Sequence, residues 1–172
     1  MDIGSLTVSG AALVVSLLSF YFSIKSWRES NRPIVTARVT SFDPGGELGT
    51  ALNIVVENTG TRPARKIRLT AKKDDLDKAL RSDGNDTGKR TISRCFSDRG
   101  VIPVLGNGKA VSNEFGWLST DSKSAWTGEV RFDIEITYED LDGRQFRHTN
   151  PLLIAGDEGF AGSSWENPKR YE

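Results

Sequence analysis

The sequence predicts a mainly β protein, in which an N-terminal transmembrane α-helix is followed by an antiparallel β-sandwich with a short inserted helix. Two patterns carry this prediction. Residues 3–24 form 22 consecutive positions without Asp, Glu, Lys or Arg, and after Pro33 apolar residues alternate with polar ones. The 172 residues divide into an anchor with a basic juxtamembrane segment (1–32), a sandwich (33–155) and a flexible C-terminal tail (156–172).

The uncharged stretch has the length and composition of a membrane anchor. Fourteen of its residues are apolar and the other eight are Gly, Ser or Thr. As a helix it reaches roughly 33 Å, enough to cross a bilayer core of about 30 Å. A cleaved secretory signal is the alternative, but such signals begin with a positive segment. Only Met1-Asp2 precedes this stretch, so we expect an uncleaved anchor.

Basic residues follow the anchor and predict its orientation. Positive charge marks the side of a membrane protein that stays in the cytoplasm. We therefore expect the N-terminus outside and the domain on the cytoplasmic side of the plasma (inner) membrane, with a periplasmic sandwich as the alternative. An aromatic ring among these cations suits the headgroup layer. The predicted membrane-interface residues are Lys25, Trp27, Arg28 and Arg32.

Small residues in the anchor form a stripe that predicts self-association. They follow one another at spacings of 4, 3, 4, 3 and 4, which keeps them on one helix face and favours a left-handed crossing with a partner helix. A homo-oligomer is expected, and a different partner helix is the alternative. The serines can also simply bond to carbonyls of their own helix. The stripe comprises Ser5, Ser9, Ala12, Ser16, Ser19 and Ser23, and Ser26 continues it.

Alternation of apolar and polar residues predicts the strands of the sandwich. Pro33 ends the helix, because proline removes a backbone donor and restricts the residue before it. Clusters of Gly, Asn and Asp separate the alternating segments, as in antiparallel sheets with one buried and one wet face. The apolar positions are Val35 to Val39, Leu52 to Val56, Ile67 to Ala71, and Val130 to Tyr138, taking every second residue.

Two segments depart from the strand pattern. Asp74 to Ser82 has acidic residues first and a basic residue late, which predicts the short inserted helix. The polar run from Ser82 to Arg90 predicts an exposed loop. The tail carries Phe160, Trp165 and Tyr171, which either belong to a frayed terminus or dock on a partner or on the domain itself.

Three segments resemble those of a known family. The run Asn58 to Ile67 is similar to the "N-x-G-x-x-P-A-x-x-I/V" link of CARDB-type Ig-like domains and of small bacterial single-span membrane-anchored proteins of unknown function. Ile136 to Phe146 resembles their final hairpin, and Val104 to Lys109 resembles their Leu-x-Pro-Gly segment with Asn107 in place of the proline. The resemblance implies an Ig-like β-sandwich with an interaction role and no shared chemistry. The predicted turn motif is Asn58, Gly60, Pro63 and Ala64.

The turn motif also has a physical reason that does not depend on the family. Asn and Gly favour a tight turn, Pro63 stiffens the return of the chain, and Ala64 allows close packing.

No set of residues predicts catalysis, a cofactor or a metal site. The chain has one His, His148, and one Cys, Cys95, which excludes a Cys/His zinc site within a single chain. Asp83 to Gly88 resembles half of a calcium loop, but Arg94 stands where the bidentate glutamate belongs. Gly106 to Lys109 resembles a phosphate loop without its first glycine and its Ser/Thr, and it predicts a turn between strands.

The charge distribution predicts no nucleic-acid binding. Setting aside Lys25, Arg28 and Arg32 with the acids Asp2 and Glu29, 20 basic residues remain against 21 acidic ones, which gives no general attraction to phosphate. A local basic series either is a solvated strand face or rests on anionic inner-leaflet lipids. It comprises Arg62, Arg65, Lys66, Arg68, Lys72 and Lys73. The carboxylates Asp140 and Asp142 favour a hairpin turn over acid–base chemistry.

These observations predict a protein that is not an enzyme. We expect a cytoplasmic sandwich that binds an unknown protein partner through a strand edge or a loop surface, while the anchors assemble in the lipid bilayer. The alternative is a membrane effector, whose span oligomerises and permeabilises the bilayer when the sandwich senses a signal.

Overall fold

A computed structural model describes residues 3–42, 50–84, 86–118 and 124–154. The predicted mainly β fold is confirmed: an apolar helix, α1 (Ile3–Ser30), precedes two antiparallel sheets. The tail, with Phe160, Trp165 and Tyr171, lies outside the described residues. So does the side chain of Ser5, although its backbone is part of α1.

Helix α1 has the dimensions of a membrane span. Within the described part of the chain, Val8–Ser30 is the one helix long and apolar enough to cross a bilayer, with a mean hydropathy of 1.6. Its apolar side chains are exposed, among them Leu17 at 60% and Phe20 at 66%. Such exposure is costly in water and is the normal state of a helix that faces lipid. The helix ends where the Asn31 side chain donates to the Trp27 carbonyl at 2.9 Å.

Seven strands form the two sheets. The first sheet has the order β1-β2-β5 and the second has the order β4-β3-β6-β7, with all neighbouring strands antiparallel. The strands are β1 (Val35–Phe42), β2 (Thr50–Asn58), β3 (Ala64–Ala71), β4 (Val101–Leu105), β5 (Lys109–Leu118), β6 (Val130–Glu139) and β7 (Gln145–Ile154).

This strand order is that of an Ig-like sandwich. A constant-type Ig domain has its first, second, fifth and fourth strands in one sheet and the other three in the second sheet. Here β4 pairs with β3 instead of β5, and the rest of the order is the same. The strands with the predicted alternation are β1, β2, β3 and β6. In β6 the inward residues Phe132, Ile134, Ile136 and Tyr138 are buried between exposed or half-buried neighbours.

Two short helices lie between β3 and β4. Helix α2 (Lys73–Ala79) matches the predicted short helix. Helix α3 (Asp86–Cys95) begins inside the segment predicted as a loop, so that prediction is wrong from Asp86 to Arg90. The local sequence is polar and gives little helical signal, and the helix is stabilised by packing instead. Its Ile92 is fully buried, beside Gly116 of β5.

An aromatic cluster fills the end of the sandwich far from α1. Trp126 is 1% exposed, and its indole N–H donates to the Phe115 carbonyl at 2.8 Å. Its ring lies 4.9 Å from that of Phe115 and 6.2 Å from that of Phe132. Packing therefore closes this end of the sandwich.

Candidate functional site

The link between α1 and β1 is fixed to the sandwich by hydrogen bonds. It is the short segment 31–34, and a flexible tether would leave its backbone groups to water. Instead, four polar groups of the link have partners at the end of β2, in the β2–β3 turn or in β6. The bonds run from Ile34 N to Asn58 Oδ1 (3.2 Å), from Thr59 N to Ile34 O (2.8 Å), from Thr61 N to Arg32 O (3.2 Å) and from Tyr138 Oη to Pro33 O (3.2 Å).

Asn58 is the centre of this junction. Its side chain is fully buried. Besides the bond from Ile34, its Oδ1 accepts from Gly60 N at 3.0 Å. Its Nδ2 donates to the carbonyls of Arg62 at 2.8 Å and Leu105 at 3.1 Å. Every donor and acceptor site of the amide is used, and one side chain joins the link, the β2–β3 turn and β4.

Gly60 has a different role from the one that the sequence predicts. Its backbone is not in the left-handed region, where four other described glycines lie, so the turn itself does not require glycine. A Cβ at this position would lie 2.3 Å from Ile34 N and 2.4 Å from Arg32 O. Glycine is needed because the link passes directly over the turn. After Pro63, Ala64 is fully buried and pairs with Leu105.

The β6–β7 hairpin is organised by Asp140 and fastened to the same end of the sandwich. Asp140 is 6% exposed, and its Oδ1 accepts from the backbone N–H groups of Asp142 and Arg144, both at 2.9 Å. Gly143 supplies the left-handed conformation of the turn at φ 81°. The Arg62 guanidinium contacts the Asp142 carboxylate at 2.6 Å. The two carboxylates thus have structural partners at the hairpin tip.

Aromatic rings connect the hairpin to the link. The Tyr138 ring, whose hydroxyl bonds to Pro33, stacks on Phe146 with 5.2 Å between the centroids. The Arg144 guanidinium lies 5.1 Å from the centre of the Phe146 ring, a cation–π distance. His148 has its ring edge-on to Tyr138 at 5.9 Å. Burial raises the pKa of the Tyr138 hydroxyl, so it stays a neutral donor to the link at ordinary pH.

One side of the sandwich contains an apolar groove. The other side of the sandwich has β1 and β7 as its edge strands. There the Asn150 amide donates to the Ala37 carbonyl at 2.8 Å and bridges these two strands. On the β4–β5 side, a groove of about 750 Å³ lies between the sheets under the end of α3. Core residues form its floor, and Arg94 and Arg99 lie at its rim. The floor residues are Ile54, Val56 and Leu69.

Cys95 lies at this groove. Its thiol accepts from the Asn113 amide at 3.5 Å. Burial raises the pKa of the Cys95 thiol, and the Asn113 bond offsets this only partly. The thiol is therefore a slow nucleophile at neutral pH.

One family model covers both α1 and the sandwich. Residues 3–154 match a family model described as "Domain of unknown function (DUF8453)". The chain belongs to the DUF8453 family. The match begins with α1 and ends with the last residue of β7, so the apolar helix is as much a part of the DUF8453 unit as the sandwich. No curated protein matches the chain.

The serine stripe of the DUF8453 helix lies on one face of a continuous α-helix. The Ser16 hydroxyl donates to the Ala12 carbonyl and the Ser19 hydroxyl to the Val15 carbonyl, both at 2.8 Å. Such bonds lower the cost of hydroxyl groups in lipid and leave their oxygens able to accept from a second helix.

The predicted membrane-interface residues lie in the last turns of α1 and in the link that follows it. Trp27 is 59% exposed, and Arg32, which belongs to the fixed link, is also exposed. Lys25 and Arg28 face the β6–β7 hairpin across a small cleft that Arg144 completes.

Sequence reasoning found the turn motif of this chain but missed its main partners. Ile34 and Leu105 lie 24 and 47 residues from Asn58, so no local pattern connects them. The groove was missed as well, because β5 begins with six exposed residues from Lys109 to Glu114. One available signal was Val111 among these polar residues, since apolar residues on an edge strand favour a binding surface.

The Arg62–Asp142 pair predicts a pH effect. The Arg62 hydrogen bond, followed by its charge, lowers the pKa of Asp142. Because the folded-state pKa is depressed, the pair stabilises the fold above the unfolded-state pKa and loses this effect as the pH falls through the folded value. Arg62→Gln should raise the Asp142 carboxyl pKa toward its ordinary range in a carboxyl NMR titration. Arg147→Gln is the control, and an equal Asp142 titration in both variants would contradict the assignment.

Proposed function

We propose that this chain is a single-span membrane protein, with its N-terminus outside and its sandwich on the cytoplasmic side of the plasma membrane. Three observations support this: the exposed apolar helix, the cations that follow it, and a family match that spans helix and sandwich. The likeness to bacterial anchored proteins with CARDB-type domains, seen at Asn58 to Ile67, agrees with it. The proposed role is that of an adaptor, which presents the sandwich to another protein at the membrane surface.

The apolar groove between β4 and β5 carries the adaptor proposal. Strand β5 is an edge of its sheet, so it can accept an extended peptide as an added strand. Pro103 lies in the opposite edge strand β4 and removes a donor there, which makes β5 the better acceptor. Alternate apolar side chains of the peptide would enter the groove toward Ile54 and Val56. The Arg94 and Arg99 side chains at the rim favour a partner segment that is both apolar and acidic.

A charge placed in the groove tests this proposal. Val111 lines the groove and is 41% exposed, whereas Val104 is 57% exposed and does not line it. We expect Val111→Asp to reduce the amount of partner that co-purifies with the full chain in mild detergent by about tenfold or more, because a buried charge opposes binding. Val104→Asp is the matched control and should retain the partner.

Alkylation of Cys95 gives a second measurement on the same groove. Because Cys95 lies at its edge, bound partner should slow alkylation of this thiol in the wild-type chain. Equal loss of partner in both valine variants, or unchanged alkylation in the complex, would exclude the groove as the docking site.

Self-association through the serine stripe is the second part of the proposal. Replacing Ser9, Ser16 and Ser23 with Leu should abolish association in a membrane two-hybrid assay, because bulky side chains separate the helix backbones. Val14→Ala with Leu18→Ala, on the opposite face of the helix, should leave association unchanged. Unchanged association in the serine variant would contradict the stripe. Ion leakage on overexpression, without any partner, would replace the adaptor role with the permeabilising one.

A further inference from the structure

A small cleft lies between the last three turns of α1 and the β6–β7 hairpin. Its volume is about 330 Å³. Three cationic side chains and one carboxylate line it, together with an aromatic ring and an aliphatic side chain. The lining residues are Tyr21, Ile24, Lys25, Arg28, Glu29 and Arg144. The cleft is therefore positive at one end and apolar at the other.

Arg144 is held at this cleft by the sandwich. Its backbone N–H donates to Asp140 Oδ1 at 2.9 Å, and its carbonyl accepts from Asp140 N at 3.0 Å. Its guanidinium lies over Phe146, whose ring stacks on Tyr138. Because Tyr138 also bonds to the link at Pro33, the same contacts fix Arg144 and the end of α1 relative to each other. A preorganised cation loses less freedom when it binds an anion.

The carboxylates near the cleft leave its positive charge largely intact. Asp142 is paired with Arg62 at 2.6 Å, so it is not available to neutralise Arg144. Glu29 offsets one of the three lining cations, and a net positive charge remains to attract an anion.

The order of residues along α1 matches the layers of a lipid. Tyr21 lies seven residues before Arg28, about 10 Å deeper along the helix at 1.5 Å per residue. Ile24 lies between them. A phosphate at the cations would thus have its glycerol and upper acyl chain beside Ile24 and Tyr21.

We propose that this cleft binds one anionic phospholipid, with the headgroup phosphate held by Lys25, Arg28 and Arg144. Arginine suits a phosphate because its guanidinium donates two parallel hydrogen bonds. The bound lipid would join the bilayer to the sandwich, so that the domain is oriented by a lipid as well as by its own link. This inference depends on the membrane insertion proposed above.

Lipid retention tests the cleft. The full chain is reconstituted in nanodiscs of equimolar phosphatidylcholine and phosphatidylglycerol, extracted in mild detergent, and examined by native mass spectrometry. Wild type should retain phosphatidylglycerol in preference to phosphatidylcholine. Arg144→Gln should reduce this preference about fivefold, and adding Lys25→Gln should reduce it by a similar factor again, since each cation near the surface contributes about 1 kcal/mol. Arg144→Gln retains the backbone bonds of the hairpin, so the fold should persist.

Arg147→Gln is the matched control. Arg147 lies in β7, three residues after Arg144, pairs with Glu135 and does not line the cleft. The control should retain phosphatidylglycerol like the wild type.

Four results would overturn the lipid site. Wild type that inserts but shows no preference for phosphatidylglycerol, or an equal loss in Arg147→Gln and Arg144→Gln, refutes the site and leaves the anchor standing. Displacement of the lipid by excess inorganic phosphate assigns the cleft to a soluble anion instead. Failure of the chain to enter nanodiscs at all refutes the anchor, and the lipid site with it.

Discussion

Replacing Asn58 with leucine is expected to lower the free energy of unfolding by about 3–5 kcal/mol, because each buried polar group left unsatisfied costs about 1–3 kcal/mol. Leucine has a similar volume but cannot form the four hydrogen bonds of the amide. The N–H groups of Ile34 and Gly60 and the carbonyls of Arg62 and Leu105 would lose their partner. The effect should be large because Asn58 is fully buried and no water can take its place without a rearrangement of the junction.

The measurement is urea unfolding of the full chain in detergent, followed by tryptophan fluorescence. Asn107→Leu is the matched control, because Asn107 is exposed in the neighbouring β4–β5 turn. It should change the free energy of unfolding by no more than about 0.5 kcal/mol. A loss for Asn58→Leu as small as that of the control would show that the junction does not depend on this amide.

Replacing Gly60 with alanine should destabilise the protein by about 2–3 kcal/mol, the upper part of the range of about 1–3 kcal/mol for an added carbon in a closely packed site. The new methyl group would lie 2.3 Å from Ile34 N and 2.4 Å from Arg32 O. Both are backbone atoms, so they cannot swing away as a flexible side chain can. The link must move off the turn, which weakens the bonds from Thr59 and Thr61 to the link.

Gly106→Ala provides the control for this steric argument. Gly106 lies in the β4–β5 turn at the same end of the sandwich, and an added Cβ there would meet only the Lys109 side chain at 3.4 Å. Its effect on urea unfolding should therefore be within about 0.5 kcal/mol. Hydrogen exchange at the Thr59 and Thr61 amides should accelerate in Gly60→Ala alone. Slow exchange at both amides in that variant would contradict the close approach of the link.

The fold could be predicted from the sequence wherever one strand carries its own signal. Strand β6 has five apolar residues in strict alternation, from Val130 to Tyr138, and the prediction there is confirmed. Helix α3 could not be predicted, because a single buried residue, Ile92, fixes it to the sandwich. Its stability comes from contact with β5, which local sequence does not contain.

The candidate sites illustrate the same limit. The turn motif was visible because Asn58, Gly60 and Pro63 are close in sequence, but the reason for Gly60 was not, since the link that passes over it comes from residues 32–34. The lipid cleft brings Arg144 to Lys25 and Arg28, more than 100 residues earlier in the chain. Only the folded arrangement of α1 and the β6–β7 hairpin shows that these cations share one site.

If α1 spans the bilayer, the junction holds one end of the sandwich at the membrane surface. The full chain with Cys95→Ser would carry a spin label at either Asn107→Cys, in the β4–β5 turn near the junction, or Ser82→Cys, at the far end. The two ends of the sandwich are separated by roughly 25–30 Å, the length of its strands. In nanodiscs that contain a nickel-chelating lipid, nickel at the membrane surface should enhance the relaxation of the spin label strongly at position 107 and weakly at position 82. Equal relaxation enhancement at both positions, or a stronger enhancement at position 82, would show that the junction does not hold that end of the sandwich at the membrane surface.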